Sequence, residues 1–268
     1  MRGVILAAGK GSRLNGTAGD QPKCLADAGG LTLIERQLRT LHRAGIGDIA
    51  VVVGCAADLV RVTCGDRVTF VENTRFADTN SLYSLWTARA LLRDGFVVLN
   101  CDVLFHPALL DALLTTHHDA ALLMAYREPG QPPFGDEEMK IKVCGGRVLD
   151  ISKTMDPAEA DGENLGIVKF GPASAPAIVS ILDRLVREGR TRDWAPRAFL
   201  EFARARPLHV IGTNGYPWIE IDFPEDYQRA MRDVLPAIDA ADRVASAITA
   251  LAHGKLGAWR VRAEAGGI

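Results

Sequence analysis

Residues 4–14 read VILAAGKGSRL, and the interpretation of the whole chain starts from them. The first five of these residues are an apolar run that predicts a buried strand ending before Gly9. Glycines directly after a first strand, here Gly9 and Gly11, let the backbone approach a ligand closely, and consecutive N–H groups there can bind an anion. Because Arg13 and Lys23 add positive charge nearby, the stretch predicts a phosphate-binding loop.

The spacing of this loop excludes two common phosphate-binding motifs. A P-loop requires Gly-x-x-x-x-Gly-Lys followed by Ser or Thr, and residues 9–12 do not supply it. A dinucleotide fingerprint requires Gly-x-Gly-x-x-Gly, but its sixth place is Leu14 here. The pattern that does fit is Leu-x-Ala-Gly-x-Gly-x-Arg-Leu followed by Pro-Lys, at residues 6–14 and 22–23.

This pattern resembles the signature of the nucleotidyltransferases that make sugar nucleotides and related activated alcohols. The resemblance implies that the loop binds a nucleoside triphosphate whose charge Lys23 and Arg13 neutralise, and we expect both to be catalytic. The expected nucleotide contacts of the loop are Leu6, Ala7, Ala8, Gly9, Lys10, Gly11 and Ser12.

Composition limits the class of protein. The 268 residues suit one generous α/β domain, and 31 basic against 33 acidic residues, a net charge of −2, give no electrostatic reason to expect nucleic acid or membrane partners. The five cysteines are dispersed without a Cys-x-x-Cys pair, and no apolar run approaches the roughly 20 residues of a membrane span. We therefore expect a cytoplasmic protein with free thiols, and leave open whether it forms a homodimer.

Strands and helices alternate along the first half of the chain. Short apolar runs at residues 49–53, 68–71, 96–99 and 120–126 predict strands, and periodic segments at 33–44, 82–92 and 107–115 predict helices. This alternation predicts an α/β fold with a doubly wound, mostly parallel, Rossmann-like sheet. In such sheets, ligands bind at the carboxyl ends of the strands.

The pattern changes after residue 126. Residues 139–143 and 147–151 alternate in polarity around Gly145-Gly146, which predicts a hairpin. We interpret residues 127–206 as a small antiparallel element that covers the substrate, within a single nucleotidyltransferase domain of residues 1–235. Residues 236–268 predict a C-terminal helix, with Val244, Ile248 and Leu251 at helical spacing, and a tail.

Acidic residues follow two of the predicted strands. Asp102 comes three residues after the apolar run at 96–99, and Glu220 and Asp222 fall on one face of the strand that begins at Trp218. Oxygen ligands without His or Cys suit Mg²⁺, which proteins hold by one or two carboxylates together with substrate phosphates. We therefore predict a metal site at Asp102, Glu220 and Asp222; solvated charges at strand ends are the alternative for each acid alone.

Residues 76–86, FADTNSLYSLW, narrow the resemblance. They resemble the Asn-x-x-Tyr-Ser-Leu segment of the phosphocholine cytidylyltransferases and their phosphonate-using relatives. In that group this helix start reads the pyrimidine and the metal acids lie at the two motif positions named above, with Glu220 in place of the usual aspartate. The resemblance implies CTP as donor, with Asn80 and Ser81 contacting its base; alternatively, Asn80 only caps the helix.

The acceptor site is the least specified part of the sequence. Two physical patterns compete: an amine-bearing acceptor would use aromatic faces, whereas a multiply anionic one would use lysines. A solvated hairpin face remains the alternative for the lysines. The acceptor candidates are Tyr83, Lys140, Lys142, Lys153 and Trp194.

Together these features predict transfer of a nucleotidyl group, CMP by the resemblance, from a nucleoside triphosphate to a phosphorylated or phosphonate small molecule, with release of pyrophosphate. A phosphate nucleophile is already ionised, so no general base is required. The alternatives are a sugar-1-phosphate nucleotidyltransferase on the same fold and a nucleotide-binding regulator without turnover.

Overall fold

Strands and helices alternate in the chain as the sequence predicts. A computed structural model describes residues 1–11, 21–128, 130, 133–241 and 243. The strands are β1 (Arg2–Ala7), β2 (Ile49–Val53), β3 (Thr69–Glu72), β4 (Phe96–Asn100), β5 (Val103–Phe105), β6 (Ala120–Tyr126), β7 (Lys140–Cys144), β8 (Arg147–Ser152), β9 (Gly162–Phe170), β10 (His209–Gly212) and β11 (Trp218–Glu220). The α-helices are α1 (Leu33–Arg43), α2 (Ala57–Cys64), α3 (Ser81–Thr87), α4 (Pro107–Thr115), α5 (Ala175–Arg187), α6 (Pro196–Ala205) and α7 (Pro224–Arg229).

The main sheet is mixed, which corrects the expectation of a doubly wound, mostly parallel sheet. Its nine strands run in the order β3-β2-β1-β4-β9-β6-β10-β8-β7. Strand β1 is parallel to β2 and β4, but β9 lies antiparallel between β4 and β6. The chain between β6 and β9 forms the β7–β8 hairpin rather than a crossover helix, so β9 returns antiparallel. The hairpin bonds to β9 and β10 and therefore extends the main sheet.

Alternation along the central strands gives the sheet two buried faces. In β1, Val4 and Leu6 belong to one core cluster, and Ile5 and Ala7 to the other. Helices α3, α5 and α6 cover the first face, and α1, α2 and α4 the second. Strands buried on both faces carry continuous apolar runs, as the sequence shows for β1, β2 and β4.

Strands β5 and β11 form a second, two-stranded sheet. The sequence predicted β11 but not β5. The short strand β5 follows β4 after two residues, and it pairs antiparallel with β11, with Val103 opposite Glu220. The N–H of Ile221 also donates to the carbonyl oxygen of Asp102 (3.0 Å). This ladder brings the two acidic segments of the sequence to one place.

The described residues include only the first part of the predicted C-terminal helix. After α7, residues 230–234 form a π-helical turn and residues 235–241 continue as helix. Val244, Ile248 and Leu251 lie outside the described residues. No helix within the described ranges has both the length and the apolar character needed to cross a membrane.

Candidate nucleotide and acceptor site

A cavity of about 470 Å³ opens where β1 and β4 end. Their last residues are neighbours, with Leu6 opposite Asn100 in the parallel ladder. The cavity therefore lies at the carboxyl ends of the central strands, where α/β sheets bind ligands. The predicted residues that line it are Leu6, Ala7, Ala8, Gly9, Lys10, Gly11, Lys23, Asn80, Ser81, Asp102, Lys153, Trp194, Glu220 and Asp222.

The two halves of the opening motif meet at Gly11 and Lys23. Gly11 has a φ of +62°, a conformation that L side chains rarely adopt. A Cβ atom there would lie 2.9 Å from the backbone nitrogen of Lys23. Gly11 therefore permits the close approach that places Lys23 beside the loop.

Lys23 lies between two of the predicted metal acids. Its Nζ atom is 3.7 Å from Oδ2 of Asp102 and donates a hydrogen bond to Oδ1 of Asp222. Burial lowers the pKa of Lys23, but the two carboxylates outweigh it and leave that pKa raised. Burial raises the pKa of Asp102, and Asp222 adds to this while Lys23 opposes it. Lys23 therefore stays charged and neutralises part of the acidic group.

Glu220 adds a third carboxyl to the same wall. Burial raises the pKa of Glu220 well above its ordinary value, and the nearby Asp102 and Asp222 raise it further. Three carboxyl groups around one ammonium leave an excess of negative charge that favours a further cation or a proton.

Two observations bear on the predicted metal site. Within the described part of the chain, no group of three or more acidic, His or Cys side chains is arranged to hold a metal ion by itself, and the three-ligand set of Asp102, Glu220 and Asp222 stays a prediction. However, Oδ1 of Asp102 is buried and has no hydrogen-bond partner among the described residues. An orphaned carboxylate oxygen beside a second carboxylate fits a cation that takes its remaining ligands from substrate phosphates.

The start of α3 forms the opposite wall. Oδ1 of Asn80 accepts a hydrogen bond from the N–H of Ser81 (2.8 Å), so the predicted helix cap is present. Oγ of Ser81 accepts from the N–H of Ala195 (2.9 Å), which fixes the loop before α6 against α3. Among the described residues, Nδ2 of Asn80 has no partner and remains available as a donor.

The acceptor candidates divide into two groups, of which one lines the cavity. The Nζ atom of Lys153 lies 5.0 Å from the centre of the Trp194 ring and 3.1 Å from Oε2 of Glu137. All three side chains line the cavity. This end of the cavity therefore holds an aromatic face, a carboxylate and an ammonium group together.

The other three acceptor candidates do not line the cavity, and each has a different partner. Lys140 is only 1% exposed and its Nζ donates to the carbonyl oxygen of Gly135 (2.6 Å). Lys142 pairs with Glu159 (3.4 Å). Tyr83 is half-buried, and the Arg75 guanidinium lies 5.1 Å from its ring centre. Alternation places Lys140 and Lys142 on one face as predicted, but that face does not meet the cavity.

Two predicted residues lie outside the described residues. These are Ser12 and Arg13, both in the second half of the opening motif. Their predicted contacts with the triphosphate stay predictions.

Sequence reasoning missed several lining residues. Phe76, Glu137 and Asn164 line the cavity without having been assigned to it. Phe76 belongs to the segment that carries the cytidylyltransferase resemblance, and Asn164 is a polar residue directly before the apolar part of β9, so both carried a signal. Glu137 had none, because it falls in a loop rich in charge, glycine and proline.

Comparison with protein families assigns the chain to a known family. The family model of the MobA-like NTP transferase domain matches residues 3–160, which include the opening loop, the start of α3 and Asp102. The chain belongs to this family. The nucleotidyltransferase resemblance predicted from residues 6–14 is therefore confirmed.

Individual relatives agree with this assignment. The chain is 31% identical over 240 residues to the bifunctional IPC transferase and DIPP synthase of Rubrobacter xylanophilus, a match that covers 87% of this chain and 51% of that protein. It is 26% identical over 241 residues to the choline-phosphate cytidylyltransferase of Streptococcus pneumoniae, a match that covers 85% of this chain and 96% of that protein. The chain thus spans about half the length of the first relative and nearly all of the second.

A solved structure supports the fold. The inositol-1-phosphate CTP transferase from T. maritima superposes with a TM-score of 0.74 at 20% identity, and the match covers 88% of this chain and 95% of that one. At this identity the similarity shows a nucleotidyltransferase fold of mixed α/β content, in agreement with the mixed sheet described above.

Proposed function

We propose that this MobA-like nucleotidyltransferase transfers CMP from CTP to a small molecule that carries a phosphate or phosphonate group, and releases pyrophosphate. The observation that carries the proposal is that one cavity collects the glycine loop, Lys23, Asp102 and the start of α3. The named activity of the choline-phosphate cytidylyltransferase, which matches over 85% of this chain, supports CTP as donor.

The reaction is an in-line displacement at phosphorus. An oxygen of the acceptor's phosphate or phosphonate forms a bond to the α-phosphorus of CTP, and the bond from that phosphorus to the bridging oxygen of the β-phosphate breaks. Because the attacking oxygen is already ionised near neutral pH, no protein base has to remove a proton. Catalysis then rests on positioning and on neutralising charge.

The described residues divide these tasks. The loop around Gly9 and Gly11 would bind the triphosphate. Lys23 would exchange part of its contact with the carboxylates for contact with the phosphates, and would neutralise the charge that grows on them. Asp102 and Asp222 would hold Mg²⁺ together with phosphate oxygens, and Glu220 would support them as a neighbouring carboxyl. A bound Mg²⁺ ion supplies charge neutralisation at the phosphate oxygens.

The acceptor end is assigned to Glu137, Lys153 and Trp194. An ammonium group, that of Lys153, lies over the Trp194 ring and beside the Glu137 carboxylate. An aromatic face with a carboxylate is the pair that an amine-bearing acceptor uses. This arrangement favours an acceptor with an amine, such as phosphocholine or an aminoalkylphosphonate, whose cation would take the position of the Lys153 ammonium.

The test is pyrophosphate release from purified protein with Mg²⁺, four nucleoside triphosphates and a panel of phosphorylated alcohols, aminoalkylphosphonates and sugar 1-phosphates. The proposal expects CTP with an amine-bearing acceptor to give the highest kcat/KM. A preference for sugar 1-phosphates would replace it with the sugar-nucleotide alternative, and nucleotide binding without turnover on any acceptor would favour a regulator.

A further inference from the structure

A buried glutamine of α1 points its amide at the turn that carries Asp102. Gln37 is 1% exposed and lies among the apolar residues Ile34, Leu38 and Leu41 of the same helix. Burying an amide among apolar side chains costs free energy unless hydrogen bonds compensate for it. The partners of Gln37 therefore indicate why a polar residue stands in this face of the helix.

Both partners flank Asp102. The Nε2 atom of Gln37 donates to the carbonyl oxygen of Asn100 (2.8 Å) and to that of Val103 (2.9 Å). Two carbonyl acceptors fix the orientation of the amide, because the opposite orientation would place its oxygen against two other oxygens. The remaining Oε1 atom is buried and has no hydrogen-bond partner among the described residues.

The backbone of Asp102 itself is held by the segment that follows β11. The N–H of Ile221 donates to the carbonyl oxygen of Asp102 (3.0 Å). The backbone on both sides of Asp102 is thus bonded to α1, and the residue itself to the segment after β11. The carboxylate is held less closely: its Oδ1 lacks a partner among the described residues, and its Oδ2 is 3.7 Å from Nζ of Lys23.

We propose that Gln37 is a positioning residue for the nucleotidyl transfer, holding the turn at residues 100–103 so that the Asp102 carboxylate stands ready for the metal and the phosphates. This inference rests on the proposed function for its link to catalysis. The two hydrogen bonds of Gln37 would act through Asp102, because they hold the backbone beside it. Removing a residue that orients a metal ligand commonly lowers metal affinity or activity by 10–100-fold.

The experiment compares Gln37→Met with the wild type. Methionine keeps the length and the buried volume but removes the donor to both carbonyl groups. Thr40→Val is the matched control, because Thr40 lies about one turn along α1 and the bond of its Oγ1 seen among the described residues stays within the helix, to the carbonyl oxygen of Arg36 (2.9 Å). Binding of Mn²⁺ is measured by electron paramagnetic resonance with the α,β-methylene analogue of CTP, so that no turnover is needed.

We expect the Kd of Mn²⁺ to rise about tenfold in Gln37→Met and kcat to fall by a similar factor, with the KM for CTP changed less than about threefold. Thr40→Val should match the wild type in all three. A Gln37→Met protein that has a lower Tm but a wild-type Kd for Mn²⁺ would reduce Gln37 to a structural residue and overturn the proposal.

A second variant keeps the proposal testable if Gln37→Met does not fold. In Gln37→Glu, the buried carboxyl facing two carbonyl oxygens stays protonated and donates one bond in place of two. Its Kd for Mn²⁺ should exceed that of the wild type, and a wild-type value would contradict the proposal. If the Mn²⁺ affinities change as expected while no acceptor supports pyrophosphate release, the positioning role stands and the proposed function fails.

Discussion

The Nζ atom of Lys23 lies 3.7 Å from Oδ2 of Asp102, so the cation predicted to meet the triphosphate rests against a carboxylate predicted to hold the metal. The two opposite charges stabilise each other in the absence of substrate, and burial strengthens that attraction. When a triphosphate enters, Lys23 can exchange its carboxylate partners for phosphate oxygens. The attraction that Lys23 gains with the phosphates is then partly offset by the attraction that it loses with the carboxylates.

This exchange gives the first prediction, for Lys23→Ala. We expect kcat to fall about 100-fold while the KM for CTP rises only a few fold, since the charge that Lys23 meets grows in the transition state. Steady-state kinetics with varied CTP measure both constants. Lys142→Ala removes a lysine whose partner is Glu159 outside the cavity, and should leave them unchanged. A rise in KM alone would make Lys23 a ground-state anchor.

The second prediction concerns Asp102→Asn. The substitution keeps the shape of the side chain and the backbone bonds of its turn, so the folded structure should persist with an unchanged circular dichroism spectrum. It removes the charge that a metal requires, and we expect kcat to fall roughly 100-fold, equivalent to about 2.7 kcal/mol. Asp66→Asn, in an exposed turn after α2, is the control. Wild-type turnover of Asp102→Asn at limiting Mg²⁺ would remove Asp102 from the site.

The third prediction separates the two roles of Asn80. In Asn80→Asp the cap is retained, because aspartate also accepts from the N–H of Ser81, but the Nδ2 donor is lost. That donor suits the N3 atom of cytosine, which is an acceptor, whereas N3 of uracil carries a proton. We expect Tm to stay the same and the preference for CTP over UTP in kcat/KM to fall about tenfold, as one hydrogen bond allows. An unchanged preference would leave Asn80 as a helix cap alone.

Local sequence patterns predicted most of the elements. They also placed the cavity at the ends of β1 and β4, because each apolar run there is followed by residues suited to a ligand: glycines after β1 and an acidic residue after β4. They could not predict the direction of β9. Its apolar pattern is the same for a parallel and an antiparallel strand, and only the hairpin before it decides the direction. The short strand β5 was also hidden, since three apolar residues before Pro107 carry no period.

Most of the predicted residues on the opening motif and at the start of α3 line the cavity, whereas Tyr83 of α3 and the two lysines of the hairpin do not. Lys140 and Lys153 both lie in or next to the hairpin, and their sequence positions do not distinguish them. In the structure, Lys140 is buried against the carbonyl oxygen of Gly135, whereas Lys153 lines the cavity. The register of the hairpin shifts between Lys142 and Val143, and such a bulge changes where later side chains point. Burial of a lysine by its own loop is a tertiary property that spacing does not encode.

The fourth prediction concerns acid stability and three histidines that are not among the lining residues of the cavity. The rings of His118 and His209 stack with centres 3.6 Å apart, and His117 lies beside them. Burial lowers the pKa of His118 and of His209, and the neighbouring histidines, Lys169 and Arg147 lower that of His118 further. The unfolded chain therefore binds protons more readily, so this contribution to stability is complete above about pH 6.5 and is lost as the pH falls through the folded pKa values.

Urea unfolding at pH 7.5 and at pH 5.5 measures this effect. The wild type should lose stability between the two values, and His118→Asn should lose less, because one of the stacked rings is gone. His42→Asn, on the far end of α1 where Nδ1 contacts the carbonyl oxygen of Leu38 (2.8 Å), is the control and should follow the wild type. Equal losses in all three proteins would assign the acid sensitivity to other groups.

The last prediction concerns the acceptor and uses Lys153→Ala. If the acceptor carries an amine, removing the Lys153 ammonium opens the face of Trp194 to the substrate, and kcat/KM for phosphocholine or an aminoalkylphosphonate should hold or rise a few fold. If the acceptor is multiply anionic, the same change removes its counter-charge, and kcat/KM should fall at least tenfold. Trp194→Ala adds the complementary test, since cation–π contacts of about 0.5–2 kcal/mol predict a loss of roughly 2- to 30-fold for an amine-bearing acceptor. A loss for amine-bearing acceptors in Lys153→Ala, with no loss in Trp194→Ala, would contradict the amine assignment and make Lys153 an anion-binding residue.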